Sequence, residues 1–165
     1  MTEAEWLSCG DPEPMVRALP ADRYQRELRL FALACVRRVW HLLPAAVRTA
    51  VEVAELFANG RATASELDAA GTVAQRETQA HWSGSRSPDA RAYAESAALD
   101  ASSVWPRTVA NVLAATSCAA SAAGCAAADA DEARYDQVFE SARRGELGAQ
   151  AALLRDLVRS PPVEV

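Results

Sequence analysis

Between Thr108 and Ala128 the chain runs for 21 residues without a charge: TVANVLAATSCAASAAGCAAA. Alanine is the strongest helix former, and nothing in the run breaks a helix. A helix of that length would also cross a bilayer, which needs about 20 apolar residues. Its lipophilic content argues otherwise, because only Val109, Val112 and Leu113 stand out among Ala, Ser, Thr and Asn. The residues therefore read as a helix enclosed by other helices, with small side chains permitting close approach. No membrane partner is expected.

Composition supports the same architecture. Of 165 residues 38 are Ala, none is Ile and none is Lys, so all 17 basic residues are Arg. Val is the only frequent β-branched apolar residue, and 7 Gly are few for the turns of a sandwich or barrel. A chain that is 50% hydrophobic and 24% charged is too apolar for a wholly disordered polymer. A net charge of −5 speaks against a nucleic-acid binder, which needs a basic face. The four cysteines, Cys9, Cys35, Cys118 and Cys125, are too few and scattered for a disulfide framework. The opening MTEAEWLSCG has two acids and no long apolar core, unlike a signal peptide. A reducing cytoplasm with free thiols is the expected compartment.

Helix punctuation is dense. Thr2 with Glu5 forms a capping box, and Asp11-Pro12 reads as an N-cap followed by a first-turn proline. Pro20 closes that second helix, and Asp22 is positioned to cap a third. This third helix, about 23–43, carries Leu28, Phe31, Cys35, Val39 and Leu42 along one stripe. A fourth, opened by Pro44, buries Val47, Val51, Ala54 and Phe57 and stops at Asn59-Gly60. Thr63 with Glu66 opens a fifth, thinly apolar helix to about Trp82, expected at the surface. The run from Ser83 to Pro88 reads as a loop, with Ser87 capping a sixth helix. Pro106 interrupts the chain before the Ala-rich helix. A helix bearing Tyr135, Val138 and Phe139 follows, and Gly145 and Gly148 separate it from a last helix at 149–159. No strand pattern or fixed-period repeat emerges. The expectation is an all-α, single-domain bundle of seven or eight helices over residues 1–160, with a tail at 161–165.

The stretches MTEAEWLSCGDPEPM, RELRLFALACVRRVWHLL, AVEVAELFANGRATASELDAA and AALLRDLVRSP resemble a family of small, uncharacterised proteins expanded in planctomycete bacteria. The likeness is close over residues 1–70, weaker over 149–161, and one of composition between them. It implies a helical bacterial protein and supplies no chemistry. Members often carry several cysteines in the third helix. Here Cys35 stands between Ala34 and Val36, which weakens a metal or redox site there.

Four constellations bear on function. Cys9, Cys35, His41 and Cys118 are of the types that bind zinc or copper(I). None has CxxC or HxxxH spacing, and Cys35 falls on an apolar stripe, where cysteine packs as a small hydrophobe. Cys118 and Cys125 stand about 10 Å apart along a helix, too far to share one ion. Arg37, Arg38, Trp40 and His41 would suit anion binding or stacking. The competing reading has both arginines paired with acids such as Glu3, Glu5 or Glu52. Glu77 and His81, one turn apart, read as a solvated pair. Finally, Cys118, Ser121 and Cys125 mark the small-residue face, where a groove beside the fifth helix could receive a partner helix.

Catalytic motifs are absent from the sequence. There is no GxSxG and no dinucleotide glycine fingerprint, and without lysine neither a phosphate-binding P-loop nor Schiff-base chemistry is available. Two histidines cannot complete a histidine-rich metal site. The expected role is a non-enzymatic interaction or scaffold module, with a protein partner or a second copy and no cofactor. The alternatives are a cysteine/histidine metal or thiol sensor and a small-ligand carrier lined by Phe31, Trp40, Phe57 and Tyr93.

Overall fold

A computed structural model describes residues 1–84, 89–103, 108–129 and 131–159. Within them lie eight α-helices: α1 (Glu3–Ser8), α2 (Pro12–Ala18), α3 (Gln25–Arg38), α4 (Ala45–Ala58), α5 (Ala64–Gly84), α6 (Ala90–Ser102), α7 (Thr108–Ala128) and α8 (Tyr135–Leu157). Two 3-10 turns, Trp40–Leu42 and Glu132–Arg134, precede α4 and α8. The described residues contain no strand, so the all-α architecture holds.

Side-chain caps set four of the helix starts. The Thr2 N–H donates to Glu5 Oε2 at 2.7 Å, and the Glu5 N–H returns a bond to Thr2 Oγ1 at 3.2 Å. Thr63 and Glu66 repeat that reciprocal arrangement at α5. Asp11 caps α2 by accepting the Glu13 N–H at 2.9 Å, with Pro12 in the first turn. Gly60 ends α4 at φ +69°, a left-handed conformation that costs glycine nothing.

Four boundaries differ from expectation. α3 starts at Gln25 without a side-chain cap: a turn in which Pro20 O takes the N–H groups of Arg23 and Tyr24 moves the cap position to Tyr24, two residues past Asp22. The helix also stops at Arg38 rather than Leu43. Pro44 holds Leu43 extended (φ −86°, ψ 136°), and the intervening residues tighten into a 3-10 turn. The largest difference is α8, one helix through Gly145 and Gly148, whose buried Glu146, Gln150, Ala151 and Leu154 keep a single face on the core. α5 continues through Ser83 to Gly84, and Asp89 caps α6 by accepting the Ala92 N–H at 2.7 Å. The expected cap Ser87, the break at Pro106 and the tail 161–165 lie outside the described residues.

The core forms around α3. Leu28, Phe31, Leu33, Cys35 and Val36 are wholly enclosed by α4, α6, α7 and α8. α7 packs mainly on α6 and α8, with Ala115, Ala119 and Ala122 at 0% exposure. Its Val109–Ala128 stretch meets the length and composition of a membrane span, with mean hydropathy 1.4. Of that stretch 44% is buried against the rest of the chain. α5 packs on α4 and α6, so α6 occupies the space where a groove between α5 and α7 was expected. The amino terminus is tied on by Arg155, which donates to Cys9 O at 2.7 Å at the end of α1.

Candidate functional site

The arginine pair at the end of α3 is divided between two neighbours. Residues 37 and 38 point about 100° apart around a helix, so one turns toward α4 and the other toward α8. Arg37 makes a two-pronged bond to Glu55 (2.8 and 2.6 Å) while its guanidinium lies 3.9 Å from the Trp40 ring centroid. Arg48 stands over the same ring at 5.6 Å. Arg38 Nε donates to Glu146 at 2.6 Å, and Gln150 links Glu146 to Thr116 O on α7. The hydrogen-bonded partners are thus Glu55 and Glu146 rather than Glu3, Glu5 or Glu52, and Glu52 acts on Arg37 through its charge alone. Both guanidinium pKa values are pushed up, chiefly by these hydrogen bonds.

The cysteines do not converge. Cys35 is buried, and its thiol is pushed far up by burial, then by the Glu146 charge. Cys118 is half-buried on α7, its thiol raised by burial and by Asp100. Cys9 bonds Asp11 O at 3.1 Å, and His41 is exposed in the first 3-10 turn. Among the described residues, no group of three His, Cys, Asp or Glu side chains is placed to hold a metal ion. Ser121 is half-buried and Cys125 buried, in line with the enclosure of α7.

His81 binds across to α6 rather than along its own helix to Glu77. Its Nδ1 lies 3.0 Å from Oε2 of Glu95, whose carboxylate is fully buried. The same oxygen accepts Trp82 Nε1 at 3.0 Å, and Oε1 accepts Arg91 Nε at 2.7 Å. Asp89 Oδ2 stands 3.8 Å from His81 Nε2. Reasoning from sequence missed Glu95, although a lone acid among the alanines of α6, one turn after Arg91, marks it.

The expected carrier pocket is dispersed. Phe31 is wholly inside the core, Trp40 lies under Arg37, and Phe57 lies 5.0 Å under Arg29. Tyr93 goes elsewhere, into a shallow groove of about 370 Å³ where α6, α7 and α8 meet. Cys125, Tyr135, Asp136, Phe139 and Glu140 complete that groove. The Tyr135 and Phe139 rings are near-parallel, with centroids 6.2 Å apart at 11°. Tyr135 is 38% exposed, and its hydroxyl donates to Cys125 Sγ at 3.6 Å, which pushes its pKa up to about 12. Gly124 admits the Phe139 ring, since a Cβ there would lie 2.7 Å from Cδ2. Asp136 and Glu140 are exposed, and neither forms an ion pair among the described residues.

Comparison with protein-family models, with curated proteins and with solved structures returned no match to this chain.

Proposed function

We propose that the chain is a non-enzymatic helical interaction module that binds a protein partner through the groove between α6, α7 and α8. One observation carries the reading. Four side chains with catalytic potential, Glu95, His81, Arg38 and Glu146, are engaged in ties between helices. The groove, in contrast, leaves Tyr135 exposed beside two carboxylates that form no ion pair among the described residues. An exposed tyrosine offers broad contact area at small entropic cost, the usual character of an interface anchor.

Site-specific photocrosslinking tests this. p-Benzoylphenylalanine in place of Tyr135 is expected to give adducts in cells that the same group at exposed Gln25 on α3 does not give. Identical adduct patterns at the two positions, or none at 135, would overturn the reading.

A further inference from the structure

We infer that the groove recognises an arginine side chain presented by its protein partner, an inference that rests on the interaction reading above. The chain shows this chemistry twice within itself. Arg37 spreads its guanidinium 3.9 Å from the Trp40 ring centroid while Glu55 takes two of its N–H groups. Arg29 lies 5.0 Å over Phe57 and donates to Ser103 O at 3.0 Å. In both cases an aromatic face and an oxygen acceptor together hold a guanidinium.

The groove has both halves of that arrangement, and its described lining includes no cation. Tyr135 and Phe139 supply near-parallel rings, and Tyr93 faces the same space from α6. Asp136 and Glu140, one turn apart on α8, border it, and neither has an ion-pair partner among the described residues. Asp129 is close enough for its charge to act on the Tyr135 hydroxyl, which adds negative charge on that side of the groove. Arg134 is engaged with Asp131 at 3.8 Å, and Arg144, which borders a neighbouring groove with Glu140, forms no ion pair with it among the described residues. The Tyr135 hydroxyl is fixed by Cys125 and stays neutral, so the ring is held in place as a platform. A planar guanidinium stacks on such rings and offers paired N–H groups to carboxylates, which a compact ammonium does not. The volume of about 370 Å³ accommodates one such side chain with flanking backbone.

The test uses the full chain and the peptide acetyl-Gly-Arg-Gly-Arg-Gly amide, with a counterpart in which citrulline replaces arginine. Citrulline keeps the shape and removes the charge. Amide shifts of residues 135–140 are followed by NMR during titration. The arginine peptide is expected to saturate, and the citrulline peptide to bind at least about tenfold more weakly. Asp136→Asn with Glu140→Gln, both at exposed positions, should weaken the arginine peptide by about tenfold, and Tyr135→Leu by several-fold. Circular dichroism confirms that each variant folds. No saturation, or equal binding of the citrulline peptide, would overturn the proposal. If position 135 still crosslinks a distinct partner, that result leaves the interaction reading standing; without adducts both fall. A dimer in light scattering that is lost in the double variant would make a second copy the occupant and overturn the partner assignment.

Discussion

His81 and Glu95 meet across the α5–α6 junction, Nδ1 to Oε2 at 3.0 Å, fourteen positions apart in the chain. The Glu95 carboxylate is fully buried and is shared with Trp82 and Arg91, so one acid holds three donors from two helices. Glu95→Gln keeps the shape and loses the charge, and should cost about 1–2 kcal/mol. Glu95→Ala also strands the donors and should cost about 2–4 kcal/mol. The upper bound is held down because His81 and Arg91 are partly exposed and regain water. Urea denaturation of the two variants checks this. Equal midpoints for Gln and Ala would show that the carboxylate is not the tie.

That junction shows where reading from sequence stops. The capping boxes of α1 and α5 are legible because donor and acceptor lie three residues apart. The partners of Glu95, like those of Arg37 and Arg38, are set by which helices become neighbours. Arg38 and Glu146 stand 108 positions apart, a separation carrying no local signal. The α6–α7–α8 groove has no local signal for the same reason, since Tyr93 and Cys125 lie 32 positions apart in the chain. The small residues of α7 were legible as a close-packing face, but only the fold shows that α6 and α8 occupy it.

Two acids with opposite shifts give a pH signature. The Glu66 carboxyl is held below the usual carboxylate value by the Thr63 backbone N–H first and its hydroxyl second. An acid whose pKa falls on folding adds stability above its unfolded value, about 4.3, and loses it as pH falls through the folded value. The Tm gap between wild type and Glu66→Gln should therefore close below about pH 4. Asp100 is half-buried, and burial raises its pKa. Folding then favours its protonated form, so its charge opposes folding at neutral pH. Asp100→Asn should match or exceed wild-type Tm at pH 7 and lose any advantage as pH falls below about 4. Thermal melts from pH 2.5 to 7 check both, and parallel curves for the variants and wild type would refute the assignments.

Thiol labelling reads the packing of the cysteines. Burial and the Glu146 charge disfavour the Cys35 thiolate, the reactive species. With a disulfide reagent at pH 8, half-buried Cys9 should react first and Cys118 more slowly, since burial raises its thiol too. Buried Cys35 and Cys125 should label at least about a hundredfold more slowly than Cys9, accelerating only in urea concentrations that unfold the chain. Mass spectrometry of peptides from timed reactions separates the sites. Prompt modification of native Cys35 would contradict the enclosure of α3.

Three glycines in or beside α8 should respond to alanine with opposite signs. At Gly124 an added Cβ would lie 2.7 and 2.8 Å from Phe139 ring atoms and 3.1 Å from its carbonyl oxygen. Ring and backbone both block it, so Gly124→Ala should force α7 from α8 at a cost of about 1–3 kcal/mol. Phe139→Leu removes the ring contact but not the backbone one, and should recover only part of the loss in the double variant. At Gly145 and Gly148 an added Cβ meets nothing within 4 Å, and both lie inside the continuous α8. There alanine restricts the unfolded chain and suits a helix, so each substitution should add about 0.5–1 kcal/mol. Urea midpoints decide the matter. Destabilisation by Gly145→Ala and Gly148→Ala would instead restore a break between two helices at that join.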